Sequence, residues 1–482
     1  MLPRNAMSLK LLMAFMYVSA IVNHVEGSYS GTNTGTYHDQ MRRMALMKAS
    51  HTIRNKDSTP QSYSTPTLYA SAESRVHHVT EYGADPTGRS DSTEALQQAI
   101  LHAFGSPLDG HLIKGVADLG GTQVHLDGGT YKISRPLLLP DTGGGNFMIH
   151  GGSLHASDDF PTDRHLIELR SPTTSLVYED ITLKDLMINS NFRGGGISII
   201  NSLRTTIDNC YISHFTSDGI LIHGGHETYV RNSFIGQHIN IGGDHREKDF
   251  SGIGINVIGN DNAITDVVIF SASIGIMVQG QANVFTGVHC YNKATGWGGT
   301  GIYIRAPGLT QTRILNSYFD FTGIVAEDPV ELHISGSFFL GNAFISIKSL
   351  KGVACGITIV DNMFSGDYTG VPIVHLDQSN GRYFTTIDQI MVDRNVVRGM
   401  VHKSTVAKGS VWSNGTRWTV DFSHVLLFPN LIQNVQYTLQ ASESFPKHVL
   451  RNVSRNCVTV ESDVPVSATL HVLVDQSMMG YV

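Results

Sequence analysis

Gly219-Ile-Leu-Ile222 is one copy of a four-residue phrase that recurs along the 482-residue chain. Successive copies start 23, 35, 21, 26, 22 and 21 residues apart, at Gly196, Gly219, Gly254, Gly275, Gly301, Gly323 and, as a variant, Phe344. The apolar residues alternate with period two, so each copy predicts a short β-strand. A strand this short buries its apolar face only against copies of itself. The repeat therefore predicts an all-β protein, a right-handed parallel β-helix with one coil per copy.

A second phrase is centred on asparagine and runs out of phase with the first. Its copies lie at Asn209, Asn232, Asn316, Asn362 and Asn395. Asparagine tolerates a left-handed turn conformation, and asparagines on successive coils can stack as a hydrogen-bonded ladder. We interpret these residues as structural turn residues.

The repeat also predicts which side chains point inward. Register along a buried sheet face is strict, so one isoleucine of each phrase should join a single internal stack. We expect this stack to contain Ile220, Ile255, Ile276, Ile302 and Ile324.

The alternate positions of the same strands point outward and form a polar strip. It consists of His223, Asn256, Gln279, Tyr303 and Arg305. Neighbouring coils lie ~4.8 Å apart, so the strip suits a long sugar chain laid across them. In this interpretation Tyr303 stacks on a sugar ring, and the Arg305 guanidinium forms a bidentate ion pair with a carboxylate of the sugar chain. The alternative is an ordinary polar outer face without function.

Composition predicts four segments. Residues 1–27 have the pattern of a secretory signal peptide, residues 28–75 form a polar linker or arm, residues 76–403 form the β-helix, and residues 404–482 form a small β-rich C-terminal cap. A secreted protein would have no membrane segment after signal cleavage, and its sequons at Asn414 and Asn452 would be available for glycosylation. The four cysteines allow three full pairings that the sequence does not rank.

The β-helix begins with a strand, a glycine turn and a helix over Val79–Ile100. Asp91 and Glu94 have the spacing of a capping box, and the helix carries an apolar stripe that would cover the open end of the solenoid. Tyr82-Gly-Ala-Asp-Pro-Thr-Gly88, followed by Gly120-Gly-Thr-Gln-Val124, resembles the opening of pectin-lyase-like β-helix proteins. These include the plant polygalacturonases of glycoside hydrolase family twenty-eight, and the layout is most similar to the QUARTET type.

The resemblance implies a secreted, extracellular cell-wall enzyme whose partner is pectin or polygalacturonate. It implies hydrolysis of α-1,4-galacturonan by general acid/base catalysis with inversion, without a cofactor or metal, in a monomer. Hydrolases, lyases and phage adhesins share this opening, so it does not specify the reaction.

One interval between copies is too long and predicts an inserted loop. It contains the charged run Asp244-His-Arg-Glu-Lys-Asp249, one coil beyond Asp218. Inverting cleavage needs two carboxyl groups ~6.5–9.5 Å apart, and carboxylates one or two coils apart lie ~5–10 Å from each other. Asp218 with Asp244 or Asp249 is therefore a candidate acid/base pair, with His223 beside it and Arg246 and Lys248 as substrate-binding residues.

The family's site motifs match only in part. Ser217-Asp218-Gly219 resembles the motif Asn-Thr-Asp and Gly301-Ile-Tyr-Ile-Arg305 resembles Arg-Ile-Lys, which implies roles for Asp218, Tyr303 and Arg305. Ile253 and Ile274 stand where the two middle motifs carry aspartate and histidine.

Two alternatives to hydrolysis therefore stay open. One is a calcium-dependent pectate lyase with ligands Asp244, Glu247 and Asp249, although Arg246 and Lys248 between them would repel calcium. The other is a non-catalytic pectin-binding β-helix, because middle-motif residues are missing.

The net charge of the chain bears on which binding partners it can attract. The formal net charge is 34 − 41 = −7, and protonation of all 23 histidines would bring it to +16. Histidine titrates near pH 6.5, so an acidic wall would make the surface less repulsive to a polyanionic pectin chain. No pattern in the chain is typical of a nucleic-acid module.

Overall fold

The computed structural model describes residues 75–477 except 106, 109, 172–174, 239–250, 292–298, 380 and 443. The predicted signal peptide and nearly all of the polar arm lie outside the described residues. Within the described ranges, no helix combines the length and the apolar character needed to cross a membrane. All four cysteines are free thiols.

The first part of the described chain builds the N-terminal end of the solenoid. Its elements are β1 (Val76–His78), a 3-10 helix (Val79–Tyr82), β2 (Thr87–Asp91), α1 (Thr93–Phe104), β3 (His111–Ile113), β4 (Val116–His125), β5 (Thr130–Ile133), β6 (Leu137–Leu138), β7 (Gly144–Ala156), β8 (His165–Leu169) and β9 (Tyr178–Asn189).

The regular coils follow, each with one longer strand and two shorter ones. Their strands are β10 (Gly195–Ile200), β11 (Ser202–Leu203), β12 (Thr206–Asp208), β13 (Tyr211–Ser213), β14 (Asp218–His223), β15 (Tyr229–Arg231), β16 (Phe234–Gly236), β17 (Ile253–Val257), β18 (Ala263–Thr265), β19 (Val268–Phe270), β20 (Ile274–Val278), β21 (Val284–Thr286), β22 (His289–Tyr291), β23 (Thr300–Ile304), β24 (Thr312–Leu315), β25 (Tyr318–Asp320), β26 (Ile324–Glu327), β27 (Val330–Ser335), β28 (Phe338–Leu340), β29 (Ile345–Lys348), β30 (Val353–Val360), β31 (Met363–Ser365), β32 (Val374–Asp377), β33 (Thr386–Asp393) and β34 (Val396–Arg398). The C-terminal strands are β35 (Val406–Asp421), β36 (Asn434–Ala441), β37 (His448–Ser454) and β38 (Cys457–Asp475).

Three sheets organise these strands. Sheet I is parallel and contains, in spatial order, β6, β8, β10, β14, β17, β20, β23, β26, β29 and β32. Sheet II joins the remaining strands of the coils, and sheet III contains the four antiparallel C-terminal strands. Strands of sheet I pair with the next coil rather than with their neighbours in sequence. This confirms the predicted right-handed parallel β-helix.

The predicted inward stack is confirmed. Ile220 pairs with Ile255, Ile255 with Ile276, Ile276 with Ile302, and Ile302 with Ile324. All five side chains are fully buried. The period-two pattern of the phrase therefore specified both the face and the register of sheet I.

The leading glycines form a column of their own beside this stack. A Cβ on Gly219 would lie 2.6 Å from the carbonyl oxygen of Gly254, and one on Gly254 would lie 2.5 Å from that of Gly275. A side chain at these positions would displace the backbone of the next coil. At Gly219 and Gly254 the phrase begins with glycine because successive coils approach too closely there for a side chain.

The asparagine phrase forms the bends within sheet II. Asn209, Asn232 and Asn316 adopt φ near +50°, as predicted for turn residues. For Asn362 and Asn395 this prediction was wrong. The residues before them, Asp361 and Arg394, adopt the left-handed conformation instead. The ladder is mixed, because Asn232 Nδ2 donates to Asp208 Oδ1 at 2.9 Å. Asn362 does bond to another asparagine, with its Nδ2 donating to Asn395 Oδ1 at 3.1 Å.

The N-terminal helix covers the solenoid as expected, but two details of the prediction were wrong. Val79–Tyr82 is a 3-10 helix rather than a strand. The capping box does not form, because Asp91 Oδ1 accepts hydrogen bonds from Thr93 while Glu94 bonds to Gln98. The buried helix residues Leu96, Ala99, Ile100, Ala103 and Phe104 join the solenoid core.

Sheet III has its own small core around Trp418, whose Nε1 donates to the Ala468 carbonyl at 3.1 Å. The segment between β35 and β36 places Leu427 and Phe428 in the solenoid core, which closes the other end of the stack. The sequon residues Asn414 and Asn452 are exposed, and their glycosylation stays a prediction.

Candidate active site

Three predicted site residues meet on the outer face of sheet I. Asn256 Nδ2 donates to Asp218 Oδ1 at 3.3 Å, and Gln279 Nε2 donates to Asn256 Oδ1 at 3.1 Å. Asp218 and Asn256 lie on the consecutive strands β14 and β17, and Gln279 directly follows the next strand, β20. Asp218, Asn256 and Gln279 therefore form a hydrogen-bonded row on this face, with the Asp218 carboxyl group at one end.

Asp218 reaches this outer face because Gly219 interrupts the strand alternation. A Cβ on Gly219 would point at Phe215 and Ile235 in the core, so the glycine occupies the inward position next to Asp218. Burial raises the pKa of the Asp218 carboxyl to about 6, although the hydrogen bond from Asn256 favours the charged form. A carboxyl with this pKa is mostly protonated at pH 5.

The register of sheet I shows which residues lie beside Asp218 on the next two strands. Asp218 pairs with Ile253, and Ile253 pairs with Ile274. Apolar side chains therefore occupy the two positions where the family motifs would place aspartate and histidine. A partner for Asp218 has to come from another part of the chain.

His165 on β8 lies near Asp218 and was missed by the sequence analysis. A Cβ on Gly195, which pairs with His165, would lie 2.4 Å from His165 Nε2 and 2.7 Å from the Asp218 carbonyl oxygen. Burial lowers the pKa of His165 to about 4, and its Nε2 is buried without a hydrogen-bond partner among the described residues. The repeat did not indicate His165, because β8 precedes the first copy of the glycine phrase at Gly196.

The ends of the inserted loop are fixed beside Asp218. Gln237 Nε2 donates to the Phe215 carbonyl at 3.1 Å and to Ser251 Oγ at 2.8 Å. Ile253 N donates to the Ser217 carbonyl at 2.8 Å. The chain therefore leaves and returns next to residue 218. The predicted site residues of this loop lie outside the described residues: Asp244, Arg246, Lys248 and Asp249, together with the alternative calcium ligand Glu247.

His223 and Arg305 lie at the far ends of their strands. His223 is exposed at the end of β14, five residues from Asp218, which corresponds to ~16 Å along a strand. The structure does not bring His223 to Asp218. Arg305 is exposed just after β23, with its backbone N–H donating to the Val278 carbonyl at 2.7 Å.

Further along the same face, Tyr303 belongs to a charged cluster. Its hydroxyl donates to Glu327 Oε1 at 2.6 Å, and Lys348 Nζ lies 3.2 Å from that hydroxyl and 3.3 Å from the same carboxylate oxygen. Tyr303 and Lys348 line a cavity of about 430 Å³ together with His375 and Asp377. Glu327 pairs with Lys348 in the register of sheet I, and only 5% of Glu327 is exposed.

Lys348 and His375 were also missed by the sequence analysis. Ser346 pairs with Val325 and His375 pairs with Ser346, so His375 continues the outward row that contains Tyr303. Extending the outward count past the variant copy at Phe344 would have found both residues.

No protein-family model matches this chain. In the solved structures, the fold is similar to ORF18 of Geobacillus virus E2, with 12% identity, a TM-score of 0.51, and 81% of this chain and 77% of that chain covered. It is also similar to the mannuronan C-5 epimerase AlgE6 A-module of Azotobacter vinelandii, with 16% identity, a TM-score of 0.51, and 68% and 88% covered. These likenesses show the fold alone.

A relative by sequence shows the family. The chain is 56% identical over 483 residues to Polygalacturonase QRT3 of Arabidopsis thaliana, with 99% of this chain and 100% of that protein covered. This chain belongs to the polygalacturonase family that includes QRT3.

Proposed function

We propose that this protein is a secreted polygalacturonase that hydrolyses α-1,4-galacturonan in cell-wall pectin, acts as a monomer and inverts the anomeric centre. The observation that carries the proposal is the partly buried carboxyl of Asp218 at the head of a polar row on sheet I. Its raised pKa suits a general acid. The 56% identity to a polygalacturonase supports the same reaction.

In this mechanism Asp218 protonates the oxygen of the scissile glycosidic bond. A second carboxylate removes a proton from water, and that water attacks the anomeric carbon from the opposite face. Asp244 and Asp249 are the candidates for this base, because the ends of their loop are fixed beside Ser217. Asn256 holds the Asp218 carboxyl in position through its amide.

The rest of the row binds the polymer. Five inter-strand steps, from β14 to β29, separate Asp218 from Lys348, which corresponds to ~24 Å at the inter-strand spacing. Arg305 and Lys348 supply positive charge for galacturonate carboxylates, and Gln279 supplies an amide between them and the acid. A long face of this kind fits a polymer better than a small sugar.

The test of the function is the chemistry of the product ends. The purified protein should release saturated reducing ends from polygalacturonic acid, and a calcium chelator should leave the rate unchanged because hydrolysis needs no cation. Unsaturated, ultraviolet-absorbing ends that disappear with chelator would identify the lyase instead. Binding of the polymer without any new ends would identify the non-catalytic alternative.

Arg305→Ala is expected to weaken substrate binding without loss of stability. The Arg305 side chain is exposed, so its removal costs little folding free energy. Loss of a bidentate ion pair with a galacturonate carboxylate should raise KM by about tenfold. Steady-state kinetics and thermal melting measure the two effects. The matched control is Arg313→Ala, an exposed arginine on β24 of the same coil, which should leave KM unchanged. A lower melting temperature with normal KM for Arg305→Ala would contradict the assignment.

A further inference from the structure

A cluster of two histidines and one aspartate lies at the N-terminal end of the solenoid, on sheet II. Asp127 Oδ1 is 2.5 Å from His78 Nδ1 and 2.8 Å from His125 Nδ1. All three ligand atoms lie within 4.8 Å of one another. We call His78, His125 and Asp127 the N-terminal His–Asp cluster.

The fold brings these residues together from separate elements. His78 ends β1, His125 ends β4, and the two residues pair directly in the parallel register between these strands. Asp127 follows in the turn after β4. The register therefore stacks two imidazoles on consecutive coils, with a carboxylate against both.

The surroundings orient the carboxylate and keep the cluster accessible. Asp127 Oδ2 accepts a hydrogen bond from Thr80 Oγ1 at 2.8 Å, which leaves Oδ1 directed at the histidines. The side chains of His78, His125 and Asp127 are 43%, 32% and 20% exposed, so an ion from solvent can enter. A hydrogen bond from a neighbouring residue, such as the one from Thr80 to Asp127, commonly fixes the orientation of a metal ligand.

Both imidazoles face the same carboxylate oxygen. His78 Nδ1 and His125 Nδ1 each contact Asp127 Oδ1. A carboxylate oxygen only accepts hydrogen bonds, so the N–H of each ring is the donor. A metal ion bound between these three atoms would take the place of the two ring protons.

We propose that the N-terminal His–Asp cluster binds one divalent transition-metal ion of the zinc class. Imidazole nitrogen and carboxylate oxygen bind Zn²⁺ at about 2 Å, and three protein ligands leave one position for water. Calcium and magnesium prefer sites made only of oxygen, so they fit less well. The ion would fasten the three-residue strand β1 to the next coil. This site is independent of the proposed hydrolysis at Asp218.

The experiment is titration of the full secreted protein, first stripped of metal, with Zn²⁺ at pH 7.5 by calorimetry. We expect one equivalent to bind, and Asp127→Asn and His78→Gln each to weaken that binding at least tenfold. His78 is exposed, so its variant should fold even if the other does not. Zinc should also raise the melting temperature of the unaltered protein and not that of the variants.

The control is His448→Gln, which removes a histidine bonded to the Tyr437 hydroxyl in sheet III and should keep full binding. Excess calcium should not compete with zinc. Absence of any bound equivalent would show that the cluster is only hydrogen-bonded. Unchanged zinc binding in His78→Gln and Asp127→Asn would place the ion at other histidines and overturn the proposal.

Discussion

Asp218→Asn is expected to lower the rate of polygalacturonic acid hydrolysis by about 10²–10⁴-fold, the usual contribution of a positioned acid or base. The amide has nearly the same shape as the carboxyl and still accepts the hydrogen bond from Asn256. What it lacks is an acidic proton to give to the leaving oxygen. Reducing-end release under saturating and limiting substrate measures the loss.

The pH dependence gives the same prediction a second readout. Burial raises the pKa of Asp218 to about 6 from its ordinary value of 3.8. The protonated acid therefore disappears above pH 6, and kcat/KM should fall about tenfold per pH unit beyond that point. A rate that stays constant between pH 5 and pH 8 would exclude Asp218 as the acid.

The stability of the same variant should change in the opposite direction from its activity. Because the folded-state pKa lies above the unfolded value, the carboxyl favours folding fully below pH 4, and this contribution is lost as the pH rises through 6. At pH 7 the neutral amide removes a poorly solvated charge, so Asp218→Asn should melt at the same temperature or higher. A lower melting temperature would mean that the loss of activity reflects misfolding.

Asp261→Asn is the matched control. Asp261 is 54% exposed and its Oδ2 lies 3.1 Å from His226 Nδ1 on the surface. Removing one charge of an exposed pair changes stability by less than about 1 kcal/mol. Rate and pH profile should therefore match those of the unaltered protein.

Ile276→Asp is expected to abolish secretion of folded protein. Ile276 is fully buried between Ile255 and Ile302, so the substitution places an unpaired carboxylate inside the stack. Burial of an unpaired charge costs several kcal/mol, which is comparable to the entire stability of many domains. The yield of secreted protein and its melting curve measure the effect.

Two further variants test whether the effect of Ile276→Asp comes from the buried charge or would follow from any substitution in that coil. Gln279→Asp introduces the same side chain at an exposed position just after the same strand and should be secreted normally. Ile276→Ala should fold with a loss of about 2–5 kcal/mol, because it leaves a cavity without a charge. Normal secretion of Ile276→Asp would show that the isoleucine stack is not continuous.

The sequence by itself determined the solenoid, its register and the row of polar residues on its outer face. Each coil repeats one local pattern, and period-two alternation determines which isoleucines and valines of β14, β17, β20 and β23 point into the core. The leading glycine of each phrase follows from the same local geometry. These features need no information beyond the contacts of one coil with the next.

The tertiary structure alone decided the environment of single side chains. The raised pKa of Asp218 depends on burial, and the proximity of His165 depends on Gly195 leaving space between their coils. The cluster of Tyr303, Glu327 and Lys348 and the N-terminal His–Asp cluster join residues of different coils. Glu327 and Lys348 are 21 positions apart, and His78 and Asp127 are 49 positions apart. The repeat can place such residues on the same face, but their burial and charge depend on the side chains that the neighbouring coils place around them.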